Sequence, residues 1–136
     1  MAEPLVVDAN PILSVLLGGR AREVAFSGAF LLYAAQHTLF EVEKYLPRVA
    51  EKLEQDEMDL FREFQLLPIT ACQPILYDET IENARSLIEE RDPKDIHVLA
   101  LTLTLGYPLW TEDKDFDGIK GIVVKRTSEL LAMLAG

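Results

Sequence analysis

The stretch WTEDKDFDG, residues 110–118, sets Glu112, Asp113, Asp115 and Asp117 directly behind an apolar lead-in. Like charges this close repel one another, and the repulsion is relieved only by a cation or by hydrogen-bond donors among them. Two readings follow: a solvated turn ending at Gly118, or part of a metal site. Acids elsewhere in the chain bear on the choice. Asp8 closes the apolar run Leu5-Val6-Val7. Glu41 falls early in a helical stretch, with Glu43 as a rival that only helix phase can separate. Asp92 and Asp95 stand at the head of another helical stretch. Each has an ordinary explanation alone: a helix cap for Asp8, a solvated helix residue for Glu41, an acid at the positive end of a helix for Asp92 or Asp95. Together, four carboxylates (Asp8, Glu41, Asp95, Asp113) without a cysteine or histidine cage suit a hard, oxygen-preferring cation such as Mg²⁺ or Mn²⁺. Two such ions about 3.5–4 Å apart would hold an attacking water and a leaving oxygen in line for phosphodiester cleavage.

These acids converge only if the elements that carry them share one edge. Leu5-Val6-Val7 predicts a first strand. Pro11 suits the first turn of a helix over 12–17, which Gly18-Gly19 would stop. A second short helix is predicted over 20–27 and a second strand over 29–34. From Thr38 the apolar residues Leu39, Val42, Tyr45, Leu46, Val49 and Leu53 recur at helical spacing, with Pro47 placed to kink or split the helix. Met58, Phe61, Phe64 and Gln65 continue a helical pattern. A third strand is predicted over 66–69, weakened by Pro68. Asp78 is placed to cap a helix running to about 90. Asp92-Pro93 reads as a cap followed by proline at the first helical position, opening a helix that ends at Gly106. Strands over 109–111 and 122–124 and a helix over 128–134 complete the pattern. Alternating helices and doubly apolar strands imply a mostly parallel sheet covered on both faces, a three-layer α/β/α sandwich. In such folds, sites form outside the carboxyl ends of the strands, where Asp8 and Asp113 fall, and the helix starts bring Glu41 and Asp95 to the same rim.

The 136 residues match one domain, 1–136, and a hydrophobic fraction of 49% suffices for one core. No apolar run approaches the ~20 residues of a spanning helix, no signal-peptide pattern appears, and Cys72 as the lone cysteine permits no internal disulfide. A reducing, cytoplasmic setting is expected. With 23 acids against 13 lysines and arginines, net charge −10, the broad basic footprint of a nucleic-acid-coating protein is missing. Bound metal ions would reverse the local field and still allow an enzyme to meet phosphates.

The blocks VVDANPIL, HTLFEV, DPKDIHVLAL and LWTEDKDF resemble those of the PIN-domain family of metal-dependent ribonucleases, over almost the whole chain. The resemblance matches Asp8 and Asn10 in the first block, Glu41 in the second, Asp95 with Asp92 nearby in the third, and Thr111, Asp113 and Asp115 in the last. It implies an α/β/α sandwich, one or two Mg²⁺ or Mn²⁺ ions and cleavage of RNA. Many members are VapC-like toxins held inactive by a small antitoxin, and many are homodimers. On this reading Asp8, Asp95 and Asp113 hold metal, Glu41 orients water or completes the set, and Asp115 and Asp92 stand at its margin. Asn10 and Thr111 would donate hydrogen bonds that fix carboxylate rotamers. Lys44, Arg48 and Lys114 are candidates to meet substrate phosphates, against the ordinary reading of solvated cations. His37 and His97 are not assigned a catalytic part. Two rivals stand: a PIN-like scaffold that binds without cutting, and an Asp-nucleophile phosphoryl-transfer domain using Asp8. Asn10 stands against the second, because the haloacid-dehalogenase pattern wants another Asp there.

Overall fold

The computed structural model describes residues 1–88 and 93–136. Five strands, β1 (Glu3–Val7), β2 (Phe30–Ala35), β3 (Ile69–Cys72), β4 (Leu109–Trp110) and β5 (Val124–Lys125), form one sheet in the order β3-β2-β1-β4-β5. Every pairing is parallel. The strands alternate between two cores, as the period of two requires. Leu5, Val7, Leu32, Ala34 and Trp110 face one core, and Val6, Ala35 and Leu109 face the other. The first is closed by α1 (Ala9–Leu16), α2 (Ala21–Ala25), α3 (Gln36–Leu53), α4 (Glu57–Gln65) and α7 (Thr127–Ala135). The second is closed by α5 (Ile81–Ile88) and α6 (Asp95–Leu105). This is the expected α/β/α sandwich.

Local chemistry accounts for the boundaries. Helix α1 starts at Ala9, earlier than Pro11 suggests, because Asp8 caps it through the Ala9 N–H at 2.8 Å. Pro11 then occupies the first turn, where a missing N–H costs nothing. Pro47 does not split α3, which runs unbroken through it. Asp56 caps α4 by accepting from Met58 and Asp59 N–H at 2.9 and 3.2 Å. Helix α6 is buried at Ile96, Val98, Leu99, Ala100 and Leu101, so it is covered on most of its circumference. It ends at Gly106, whose φ of 72° lies in the left-handed region a C-cap favours.

Three expectations are corrected. The third strand is Ile69–Cys72 and not 66–69: α4 runs to Gln65, Leu66 caps it and is 80% exposed, and the strand begins only after Pro68. The fifth strand falls at Val124–Lys125, set by pairing with Leu109 and Trp110. Asp78 opens a 3₁₀ turn, Asp78–Thr80, that leads into α5 at Ile81, so it stands three residues ahead of that helix and not at its cap. Asp92 lies outside the described residues.

The second core rests on α6, so truncating Leu99, which is 0% exposed, should cost about 2–5 kcal/mol. Ile75→Ala, at 84% exposure, should change stability by less than about 0.5 kcal/mol. Urea unfolding of both variants checks the contrast.

Candidate active site

β1 and β4 lie side by side with Val7 opposite Trp110. The next residue on each strand, Asp8 and Thr111, therefore emerges at the same carboxyl edge. Asp8 is 6% exposed and Thr111 is fully buried. The Asp8 N–H continues the ladder to the Trp110 carbonyl at 3.0 Å. The Thr111 hydroxyl donates to Asp8 Oδ2 at 2.7 Å and accepts from the Asp113 N–H at 3.0 Å. One hydroxyl thus orients a carboxylate on one strand and fixes the backbone of the next acid on the other. Asn10 adds a second tie by accepting from the Glu112 N–H at 3.1 Å. Asn10 thus holds a backbone N–H through its carbonyl oxygen, while Thr111 donates to a carboxylate.

The acids after β4 divide into separate tasks. Glu112 Oε1 accepts from the Thr127 N–H at 2.9 Å at the start of α7. Asp113 Oδ1 accepts from the Asp115 N–H at 2.8 Å and caps a 3₁₀ turn, Lys114–Phe116. Both carboxylate oxygens of Asp117 accept from Arg126 Nη2 at 2.7 Å. Asp95, the first residue of α6, is 8% exposed. It comes together with Asp113 and Asp115, one carboxylate oxygen of each lying within 4.8 Å of the others. Oxygens shared by one Mg²⁺ at ~2.1 Å lie roughly 3–4 Å apart, so small side-chain rotations, or bridging water, bring this trio to ligand spacing. Three hard oxygen donors fit Mg²⁺ or Mn²⁺ and offer nothing to a soft metal.

Asp8 stands beside this trio, joined to it through Thr111. Glu41 lies on α3, half-buried, with its Oε1 3.1 Å from His37 Nε2. It lines a cavity with Lys94, the residue before Asp95. Glu43 instead faces the groove between α3 and α4, among Phe40, Phe61 and Phe64. Helix phase thus separates the two glutamates, with Glu41 on the face that meets Lys94.

Two features escaped the sequence. His37 and His97 stack, with ring centroids 4.1 Å apart and planes 14° from parallel, and His97 Nδ1 shares a hydrogen bond with the Tyr77 hydroxyl at 2.8 Å. Burial first, and then the nearby His37 and Arg85 charges, lower the His97 pKa, so its ring is neutral at pH 7. Burial raises the Tyr77 pKa, so the phenol is protonated over the same range. The His37–Glu41 spacing of four was visible as a helical pair, but the stack needs the starts of α3 and α6 to meet. The second feature is Arg126. Beside its grip on Asp117, its Nη1 donates to the carbonyls of Thr111 at 2.8 Å and Asp113 at 3.4 Å. It clamps the whole acidic loop from below.

A parallel sheet between two helical layers, with acids gathered at its carboxyl edge, defines an α/β domain with a candidate divalent-metal centre. The PIN domain family model matches residues 6–135, and the chain belongs to that family. A search of curated protein sequences finds no significant match. Solved structures share the fold at low identity. PAE2754 from Pyrobaculum aerophilum superposes with TM-score 0.70 at 18% identity, covering 99% of this chain and 91% of that one. VapBC2 from Rickettsia felis bound to a promoter DNA fragment gives TM-score 0.65 at 9% identity, covering 90% and 98%. A toxin–antitoxin complex from Klebsiella pneumoniae gives 0.64 at 22%, covering 88% and 96%.

Arg126→Ala should free the loop over residues 111–117, raise hydrogen exchange at the Asp115 amide and cost about 2 kcal/mol. Arg126→Lys keeps the charge but lacks the planar fork, and should recover less than half of that protection. Exchange mass spectrometry on the three proteins measures it.

Proposed function

We propose that the chain is a metal-dependent endoribonuclease that hydrolyses RNA phosphodiester bonds, acting as the toxin of a toxin–antitoxin pair. The observation that supports this most is the meeting of Asp95, Asp113 and Asp115 at the strand edge, in a chain of the PIN domain family. The solved complexes that share its fold include a toxin–antitoxin pair. With the toxin reading go a small protein antitoxin as partner, a cytoplasmic setting and a homodimeric state. Among the described residues, no helix is long and apolar enough to cross a membrane.

In this reading Asp95, Asp113 and Asp115 hold Mg²⁺ or Mn²⁺, with Asp8 beside them. When bound, the ion supplies Lewis-acid stabilisation of charge on the phosphoryl oxygens and activates water for in-line attack. Asp8 keeps one carboxylate orientation because Thr111 and the Ala9 N–H hold its two oxygens. The same restraint argues against Asp8 as a covalent nucleophile, which needs a free oxygen aimed at phosphorus. Glu41, steadied by His37, accepts a proton from water at the margin of the site. Asn10 and Thr111 hold the β1 and β4 loops at a fixed separation, so the acids meet substrate without first being ordered.

The test is cleavage of a mixed RNA by the purified chain with Mn²⁺, beside Asp8→Asn and Asp113→Asn. The expected outcome is metal-dependent cutting reduced by about 10²–10³ or more in each variant. Cutting equal in the variants would remove these residues from the mechanism. Calorimetric Mn²⁺ titration separates the rival: binding lost in Asp113→Asn, with no cutting by any of the proteins, would identify a metal-binding scaffold.

A further inference from the structure

Beyond the acid trio, the cations are distributed unevenly. Arg20, Arg62, Arg85 and Arg126 each pair with a carboxylate close by, and Arg22 lies over the Phe26 ring at 5.2 Å. Lys52, Lys114, Lys120 and Lys125 have no such partner among the described residues, and neither do Lys44 and Arg48, although the chain carries a net charge of −10. Both line a cavity of about 300 Å³ together with Glu41, Tyr45 and Lys94. Glu41, Lys44, Tyr45 and Arg48 stand at i, i+3, i+4 and i+7 of α3, the spacing of one helix face. Lys94 reaches the cavity from the start of α6 and is followed directly by Asp95. Lys44, Arg48 and Lys94 are exposed, and Tyr45 is 38% exposed. Among the described residues, the cavity lining therefore offers three cations against one carboxylate, with an open aromatic ring beside them.

We propose that this cavity seats the single-stranded RNA next to the scissile bond, with Lys44, Arg48 and Lys94 on successive phosphates and a base stacked on Tyr45. The inference rests on the nuclease reading for the identity of the strand and adds where the strand lies. The cations on α3 spread along one helix face, as a polyanion with repeating charge requires. Lys44 and Arg48, unpaired among the described residues, keep their charge for an external ligand, and an aromatic face beside them distinguishes a nucleic acid from a plain polyanion. The strand would run along α3 toward Glu41 and then past Lys94 to Asp95. The protein's general negative charge would repel nucleic acid everywhere else and leave this approach.

The experiment is fluorescence anisotropy of a labelled twelve-residue oligouridylate in EDTA at low salt, where nothing is cut, repeated over a salt series. The proteins are wild type, Lys44→Gln/Arg48→Gln, Tyr45→Ala and the control Lys120→Gln. Lys120 precedes Gly121, which packs toward Leu103 at the far end of α6. Removing two phosphate contacts should weaken binding at least tenfold and flatten the logarithmic salt slope by about 1.4. Tyr45→Ala should lose about tenfold with no change in slope, and Lys120→Gln should match wild type within about twofold. All four should melt within a few degrees of one another, since the changed side chains are exposed. Unchanged affinity and slope in the double variant, or no binding by wild type, would overturn the proposal. A short polyglutamate that displaces the oligonucleotide as well as unlabelled oligouridylate does would overturn it in favour of an acidic peptide. Cleavage assays on the same proteins separate the two readings. Mn²⁺-dependent cutting with KM unchanged in the double variant would remove the cavity and leave the nuclease. Binding through these residues with no cutting would keep the cavity and remove the nuclease.

Discussion

The hydrogen bond from Thr111 to Asp8, 2.7 Å long and buried, is the contact on which the arrangement of the site depends. It joins the carboxyl ends of two neighbouring parallel strands that are 103 residues apart in sequence. A carboxylate at 6% exposure is tolerable only when donors meet it, and here a backbone N–H and a hydroxyl do so. The same hydroxyl accepts from the Asp113 amide, so the demand of one acid fixes the start of the loop that carries the others. Sheet register decides that this contact exists at all. A shift of one residue between β1 and β4 would turn Thr111 to the opposite face.

The acidic loop answers its own electrostatic problem by dividing its charges. Glu112 is engaged by the α7 backbone, Asp117 by Arg126, and one oxygen of Asp113 by the Asp115 amide. Asp95 sits at the first turn of α6, where the helix dipole favours a negative charge by about 0.3–1 kcal/mol. These donors reduce the repulsion among the carboxylates without abolishing it, because Asp113, Asp115 and Asp95 still converge. The remaining repulsion is what a divalent cation would relieve, and this couples metal affinity to the order of the loop.

Much of this was legible because the informative residues adjoin strands whose apolar character is local. Asp8 follows Val7 and Thr111 follows Trp110, so strand ends and site residues are read in the same few positions. Asp95 was legible through the helix that follows it. The third strand was misplaced because Leu66 and Leu67 look like a strand, whereas they finish a helix, and the true edge strand has only Cys72 buried. Arg126 left no mark in the sequence. Its acceptors are carbonyls 13 and 15 residues away, brought within reach only when β4 and β5 pair. The histidine stack depended in the same way on two helix starts meeting. Contacts between elements, and especially those made to backbone, are invisible to periodicity, which reports only which face of each element is apolar.

Strand order explains why the acids gather at this edge and not elsewhere on it. With β1 central, the chain leaves its end toward β2 on one side, and later returns to the other side through α5 and α6 into β4. The segments after β1 and β4 therefore diverge, and a crevice opens at the switch in order. Helix α3 leaves directly from the carboxyl end of β2, and α6 runs back toward the amino end of β4, so both present their first turns to the same rim. Glu41 and Asp95 are at that rim because they lie within two turns of those starts, while residues at the helix ends, such as Lys52 or Leu105, are carried to the opposite edge. The geometry of a parallel α/β sheet thus selects which acids can meet, and the hydrogen bonds of Thr111, Asn10 and Arg126 decide how rigidly they do so.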